Sequence, residues 1–156
     1  MRVEVEVTIR APGARVWQLV TDIPNSVRTI SGIQKVEVLE RPPTGILGLK
    51  WRETRTLFGK TATEVMWITG VEEGSSYETE ARSHGSVYRS EIRVSEVGDR
   101  TRLRMVFEAE ALTFGARVFS VLLAFMIKGA TKKALLQDLM DVKAVAEGGE
   151  TQGSTS

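Results

Sequence analysis

The chain contains no cysteine and a single histidine, His84. Without thiols, disulfides and thiolate metal centres are excluded, and a reducing compartment is permitted but not required. One imidazole cannot build a histidine-rich metal site, so no metal and no cofactor is expected. An excess of charge of one sign is also missing: 21 lysines and arginines face 20 aspartates and glutamates. No global field is available to draw nucleic acid or anionic lipid, and nucleic acid is not expected as a partner. A long apolar run is missing too. The most apolar segment, Val118 to Ile127 (VFSVLLAFMI), is far shorter than the roughly 20 residues of a membrane span. The opening MRVEVEVTIR alternates charge with valine, the reverse of a secretory signal's apolar run. These absences together lead us to expect a soluble, cytoplasmic protein without stable membrane insertion.

What is present is one domain's worth of patterned sequence, 156 residues, enough to bury a core without staples. Val3, Val5, Val7 and Ile9 alternate with polar residues, which is the period of a half-buried strand. Ala11-Pro12-Gly13 ends it, and Pro12 suits an early position of a short helix with Val16, Trp17, Leu19 and Val20 on its apolar side. A second short helical piece is expected over Ile23 to Ile30. Period two then returns over Ile33–Glu40, Leu49–Phe58, Thr61–Val71, Ser76–Arg82, Val87–Ser95 and Thr101–Leu112. The separators RPPTG, FGK, EEGS, SHGS and VGDR are short and contain glycine, as the turns of an antiparallel meander do. After Thr113, a suitable helix cap, the period changes to 3.6 and predicts one long helix from about Ala116 to about Glu147. Residues 1–147 thus form a single α+β domain. The tail, Gly148 to Ser156, has nothing to bury and is expected to be disordered. A curved seven-stranded sheet has a concave face that one helix cannot fill, which implies a cavity.

The element order, with the segments VTIRAPGARVWQLVTDI, GLKWRETRTLFGK, GSVYRSEIRV and LLQDLMDVKAVAEG, resembles the START-like (SRPBCC) superfamily, and within it the bacterial polyketide cyclase/dehydrase and lipid-transport group. The resemblance covers residues 2 to 147. It implies a helix-grip fold, in which the curved sheet wraps the long C-terminal helix around a deep pocket. It also implies binding of a hydrophobic or amphipathic small molecule such as a lipid, a quinone or a polyketide.

One stretch bears on that pocket directly. In LKWRETRTLFG one face of the strand carries Leu49, Trp51, Glu53, Arg55 and Leu57, an acid and a base in a row with a tryptophan. A dry core would not hold them, because buried charge is costly unless paired; a pocket wall could. By the same alternation Tyr77, Thr79 and Ala81, then Tyr88, Ser90, Ile92 and Val94, then Leu103, Met105, Phe107, Ala109 and Ala111 form inward rows. Trp51, Glu53, Arg55, Tyr77, Tyr88, Ser90, Met105, Phe107 and, from the helix, Phe125 are the candidate ligand-binding residues. For Ile92, Met105 and Phe107 ordinary core is an equally good reading, whereas the hydroxyls of Tyr77, Tyr88 and Ser90 need partners that a ligand or water could supply. The inward face of Thr61–Val71 stays open, since Glu64, Met66 and Ile68 oppose Val65, Trp67 and Val71.

Helical stepping from Leu139 collects Val142, Leu135, Leu136, Phe125, Ala124 and Val121 as an inward stripe. Lys128 and Lys132 fall on it as well. Either their amines face the pocket, or a change of phase near Gly129 turns them to solvent. Phe119, Leu123 and Met126 then lie outward and suit a homodimer contact, a membrane docking site or other transient surface contact, or cover by the loop containing Ile46 and Leu47. His84 reads as a turn residue. Two functions follow. A binding protein would hold its ligand in the pocket, with Arg55 favouring acidic or hydroxylated ligands and affecting selectivity more than stability. A cyclase would use Glu53 as base, Arg55 to stabilise an enolate, and Tyr88 or Tyr77 as acid. The lack of any nucleophile–histidine–acid set favours binding, and no catalytic residue is assigned.

Overall fold

The computed structural model describes residues 1–57, 59–83 and 85–148, with side chains for all of them except 57 and 116–127. The elements are β1 (Arg2–Ile9), α1 (Gly13–Thr21), a 3₁₀ helix (Ile23–Arg28), β2 (Ile33–Glu40), β3 (Lys50–Leu57), β4 (Lys60–Glu72), β5 (Ser76–Ser83), β6 (Ser86–Val97), β7 (Arg100–Ala111) and α2 (Phe114–Gly148). All strand pairs are antiparallel. The sheet order is β1-β7-β6-β5-β4-β3-β2. Strands β2 to β7 are therefore a plain meander, and β1 closes onto the far edge of β7. Between β1 and β2, α1 and the 3₁₀ helix carry the chain from one edge of the sheet to the other. The expected boundaries differ from these by no more than two residues, as strand and helix ends usually do.

Local chemistry accounts for the junctions. Pro12 sits one position earlier than expected, as the N-cap of α1 with φ −62°, and its carbonyl accepts from the Arg15 and Val16 amides. Gly74 and Gly98 take φ of 78° and 62° in the β4–β5 and β6–β7 turns, a region closed to most side chains by their Cβ. In β4 the register shifts between Ile68 and Gly70. That bulge inserts one residue, so Ile68 and Val71 both pack into the core around Trp51 although they have opposite parity. The open question about this strand is thereby answered: Ala62, Glu64, Met66 and Ile68 face inward, and Val71 joins them beyond the bulge.

The core has two parts. Val3, Val5, Val7 and Ile9 of β1, with Val94 and Leu103, pack against Leu135, Leu139, Val142 and Ala146 of α2. A second cluster gathers Ile23, Leu49, Trp51, Ile68 and Tyr77. The helix therefore lies over the β1–β7 end of the sheet, and the concave face of β3, β4 and β5 is left with less helix to fill it. Apolar burial at about 25 cal/mol per Å² fixes α2 where its stripe is continuous, and the space beside it stays open.

The stripe on α2 differs from expectation at one position. Leu136 is 38% exposed and Met140 45%, because the buried residues step 135, 139, 142, 146 and place 136 and 140 about 100° round the helix. Lys128 and Lys132 are exposed, so neither amine reaches the cavity. The side chains of Phe119, Val121, Leu123, Ala124, Phe125 and Met126 lie outside the described residues, as do His84 and the tail 149–156. Among the residues that can be described, Ile46 packs onto the Trp51 cluster and Leu47 is exposed. No helix among the described residues is long and apolar enough to cross a membrane.

Candidate functional site

Two cavities share a wall between the sheet and α2. The first, about 130 Å³, lies under α1 and the 3₁₀ helix and is lined by Leu19, Val20, Ile23, Ile30, Ile33, Trp51, Tyr77 and Ile92 among others. The second, about 350 Å³, opens toward Ala62, Glu64, Ala81, Tyr88, Phe107, Thr131 and Ala134. Glu53, Arg55, Met66, Ser90, Met105 and Asp138 border both. The mixed row of β3 thus stands at the waist of a divided cavity, with Trp51 below it.

At the waist Arg55 makes two ion pairs, Nε to Glu53 Oε2 at 3.1 Å and Nη1 to Asp138 Oδ2 at 2.8 Å. Side-chain exposure is 18% for Arg55 and 12% for each carboxylate. Burial alone pushes the guanidinium pKa down, but the charges of Asp138 and Glu53 and their hydrogen bonds outweigh it and the net shift is upward. Asp138 moves upward as well, which favours its neutral form: burial raises it, Arg55 opposes, and Glu53 and Asp141 add to the rise. The two partners therefore pull in different senses. The asymmetry is physical, because one cation serves two carboxylates while each carboxylate has half a cation. Glu64 lies directly across the strand pair from Glu53, and it makes no ion pair with any described residue.

The helix end of the bridge is held in place from the other side. Asp141, one turn on from Asp138, accepts from the Ser31 amide and hydroxyl at 2.9 and 2.7 Å and from Gln137. These contacts fasten α2 to the segment leading into β2, beside the waist.

Eight of the nine candidates from the sequence have a definite place. Trp51 is buried and lines the smaller cavity, with its indole N–H unpartnered among the described groups. Tyr77 lines the same cavity, but its hydroxyl donates to the Val20 carbonyl at 2.9 Å. Burial and the charge of Glu53 raise its pKa well above the usual phenol value. Ser90 shares a 2.7 Å hydrogen bond with Thr79. Tyr88 and Phe107 are stacked at 6.1 Å in the wall of the larger cavity, and Met105 borders both. Phe125 lies outside the described side chains. The partners that the hydroxyls of Tyr77 and Ser90 needed are thus protein groups.

Asp138 is the site residue that sequence reasoning passed over. Its signal was present: it stands three residues after Leu135 and four before Val142, hence on the same face as both. A search for apolar residues at those offsets steps over an acid.

The sequence of residues 1–147 matches the family model described as polyketide cyclase/dehydrase and lipid transport. Among solved structures, a protein of Thermus thermophilus superposes with a TM-score of 0.80 at 17% identity, covering 97% of this chain and 100% of that one. A START superfamily protein from Mycobacterium smegmatis gives 0.77 at 16% identity, covering 96% and 99%. The Zhui aromatase/cyclase from Streptomyces sp. R1128 gives 0.73 at 18% identity, covering 94% and 93%. At these identities the likeness is one of fold, the helix-grip of START-like proteins. No curated protein matches the sequence.

Proposed function

The chain belongs to the polyketide cyclase/dehydrase and lipid-transport family, and from that premise we propose that it binds a hydrophobic or amphipathic small molecule, such as a lipid, a quinone or a polyketide, in the divided cavity. The observation that carries the reading is the cavity itself: apolar walls from the sheet, α1, the 3₁₀ helix and α2, with one cluster of charged groups at the waist. Ligand sites are commonly built this way, mostly apolar with a few placed polar groups, at about 300–1,000 Å³. The larger compartment alone reaches the lower end of that range.

Cyclase chemistry draws less support from the geometry. A catalytic acid needs a proton it can release, and the Tyr77 proton is committed to a carbonyl in a site that raises its pKa. A catalytic base needs a lone pair aimed at the substrate, and Glu53 has one of its two oxygens, Oε2, tied to the Arg55 Nε. Binding asks nothing further of these groups. To test it, the protein is purified without detergent and its small-molecule extract analysed by mass spectrometry, then the emptied protein is titrated with an apolar fluorescent probe. We expect a co-purifying amphiphile, or saturable probe binding with one site. The absence of both would refute the proposal.

A further inference from the structure

The charges at the waist point to the kind of polar head the ligand carries, an inference that rests on the binding proposal above. Arg55 gives its Nε to Glu53 and its Nη1 to Asp138, so an incoming anion would have to share its charge with two carboxylates. Glu64 adds a third carboxylate on the wall of the larger compartment, directly opposite Glu53 in the strand pair. The side chains that line the two compartments therefore hold three acids against one base among the described residues. Lys128 and Lys132, which could have reversed the balance, are exposed instead. The amino group of Met1 stands at the rim of the larger compartment and donates to the Ala109 carbonyl. The acids present surplus acceptor capacity: each ionised carboxylate has four lone-pair sites, and Arg55 occupies one oxygen of Glu53 and one of Asp138.

We infer that the cavity selects amphiphiles whose polar head donates hydrogen bonds or carries positive charge, an amine or a hydroxyl, and discriminates against carboxylates. A tail in either compartment brings its head to the same place, because Glu53, Arg55 and Asp138 border both. An ammonium or hydroxyl there donates to Glu64 or to the outer lone pairs of Asp138 and leaves the Arg55 bridge intact. A carboxylate must instead compete with two protein carboxylates for one guanidinium while facing their repulsion. At a few Å in a partly screened site, that repulsion amounts to about a ten- to hundredfold difference in affinity.

The test uses three ligands with one tail: octylamine, 1-octanol and octanoate, titrated calorimetrically at pH 7.5 against wild type and Glu64→Gln. Tail burial is common to the series, so octylamine against octanoate isolates the sign of the head. We expect octylamine to bind at least about tenfold tighter than octanoate. Glu64→Gln should narrow that gap by about threefold or more, and thermal melting of the variant reports whether it is folded. If all three bind and octanoate matches or exceeds octylamine in wild type, the inference fails while the binding proposal stands. If none binds, the inference fails, and the extract and probe titration above decide the binding proposal separately. A folded Glu64→Gln that leaves the gap unchanged overturns the role of Glu64.

Discussion

Replacing Arg55 by methionine removes the one cation at the waist and keeps most of the side chain's volume. Two charge-assisted hydrogen bonds are lost, at 3.1 and 2.8 Å, and the acids they joined are left with no compensating charge. Breaking a fully buried ion pair from one side costs about 3–5 kcal/mol. Here the three side chains keep 12–18% exposure and border a cavity, so we expect about 2–4 kcal/mol. In a domain of this size that corresponds to a fall in melting temperature of roughly 5–15 °C. This is more than the sequence suggested for Arg55, and the difference is Asp138, which ties β3 to α2 across the cavity. The assay is urea unfolding followed by tryptophan fluorescence at pH 7.5, on wild type, Arg55→Met, and Arg55→Met combined with Glu53→Gln and Asp138→Asn. The triple variant should recover at least half of the loss, because neutral amides do not repel. The deficit of the single variant should also shrink as pH falls and the stranded carboxylates take up protons. An Arg55→Met protein within about 0.5 kcal/mol of wild type, or a triple variant no better than the single, would refute this account of the bridge.

Other expectations follow from the same geometry. Asp138 should titrate above the ordinary aspartate range in a carbon-detected NMR titration, given its burial and the nearby charges of Glu53 and Asp141. The sign for stability is then fixed: the contribution of its protonated form is fully present below the unfolded pKa, near 3.9, and is lost as pH rises through the higher folded value. A midpoint at or below about 3.9 would contradict the burial argument. Tyr77→Phe should cost about 1–2 kcal/mol in urea unfolding, the loss of its bond to the Val20 carbonyl with that buried acceptor left single. The same variant should leave the affinity for an apolar probe within about threefold, since the hydroxyl is turned to the backbone; a tenfold loss would place it on the ligand.

The parts of the fold legible in sequence were those where one periodicity dominates. Val3 to Ile9 and Leu103 to Phe107 keep strict alternation because one face meets α2 and the other meets water, so register follows from pattern. The pattern fails at Thr69 and Gly70, where a bulge changes parity and a correct reading of Ile68 predicts the wrong side for Val71. At the site, the row Trp51, Glu53, Arg55 was readable because a mixed face is costly anywhere but a cavity wall. The partner on α2 was not, since apolar stepping along a helix passes over Asp138, and pairing between residues 83 positions apart leaves no trace in local spacing. The hydroxyls of Tyr77 and Ser90 show the same limit: sequence says that a buried hydroxyl needs a partner, and only packing says that Val20 and Thr79 supply it.

The central claim is that a small amphiphile occupies the space between sheet and helix, and methionine methyl groups report on that space directly. Met66 and Met105 border both compartments, whereas Met140 lies on the outer side of α2, 45% exposed. In a carbon-13 methyl-methionine spectrum recorded during titration with 1-octanol, the account predicts saturable shifts at Met66 and Met105 that follow one binding curve, with Met140 unmoved. Unmoved cavity methyls, or shifts confined to Met140, would contradict it.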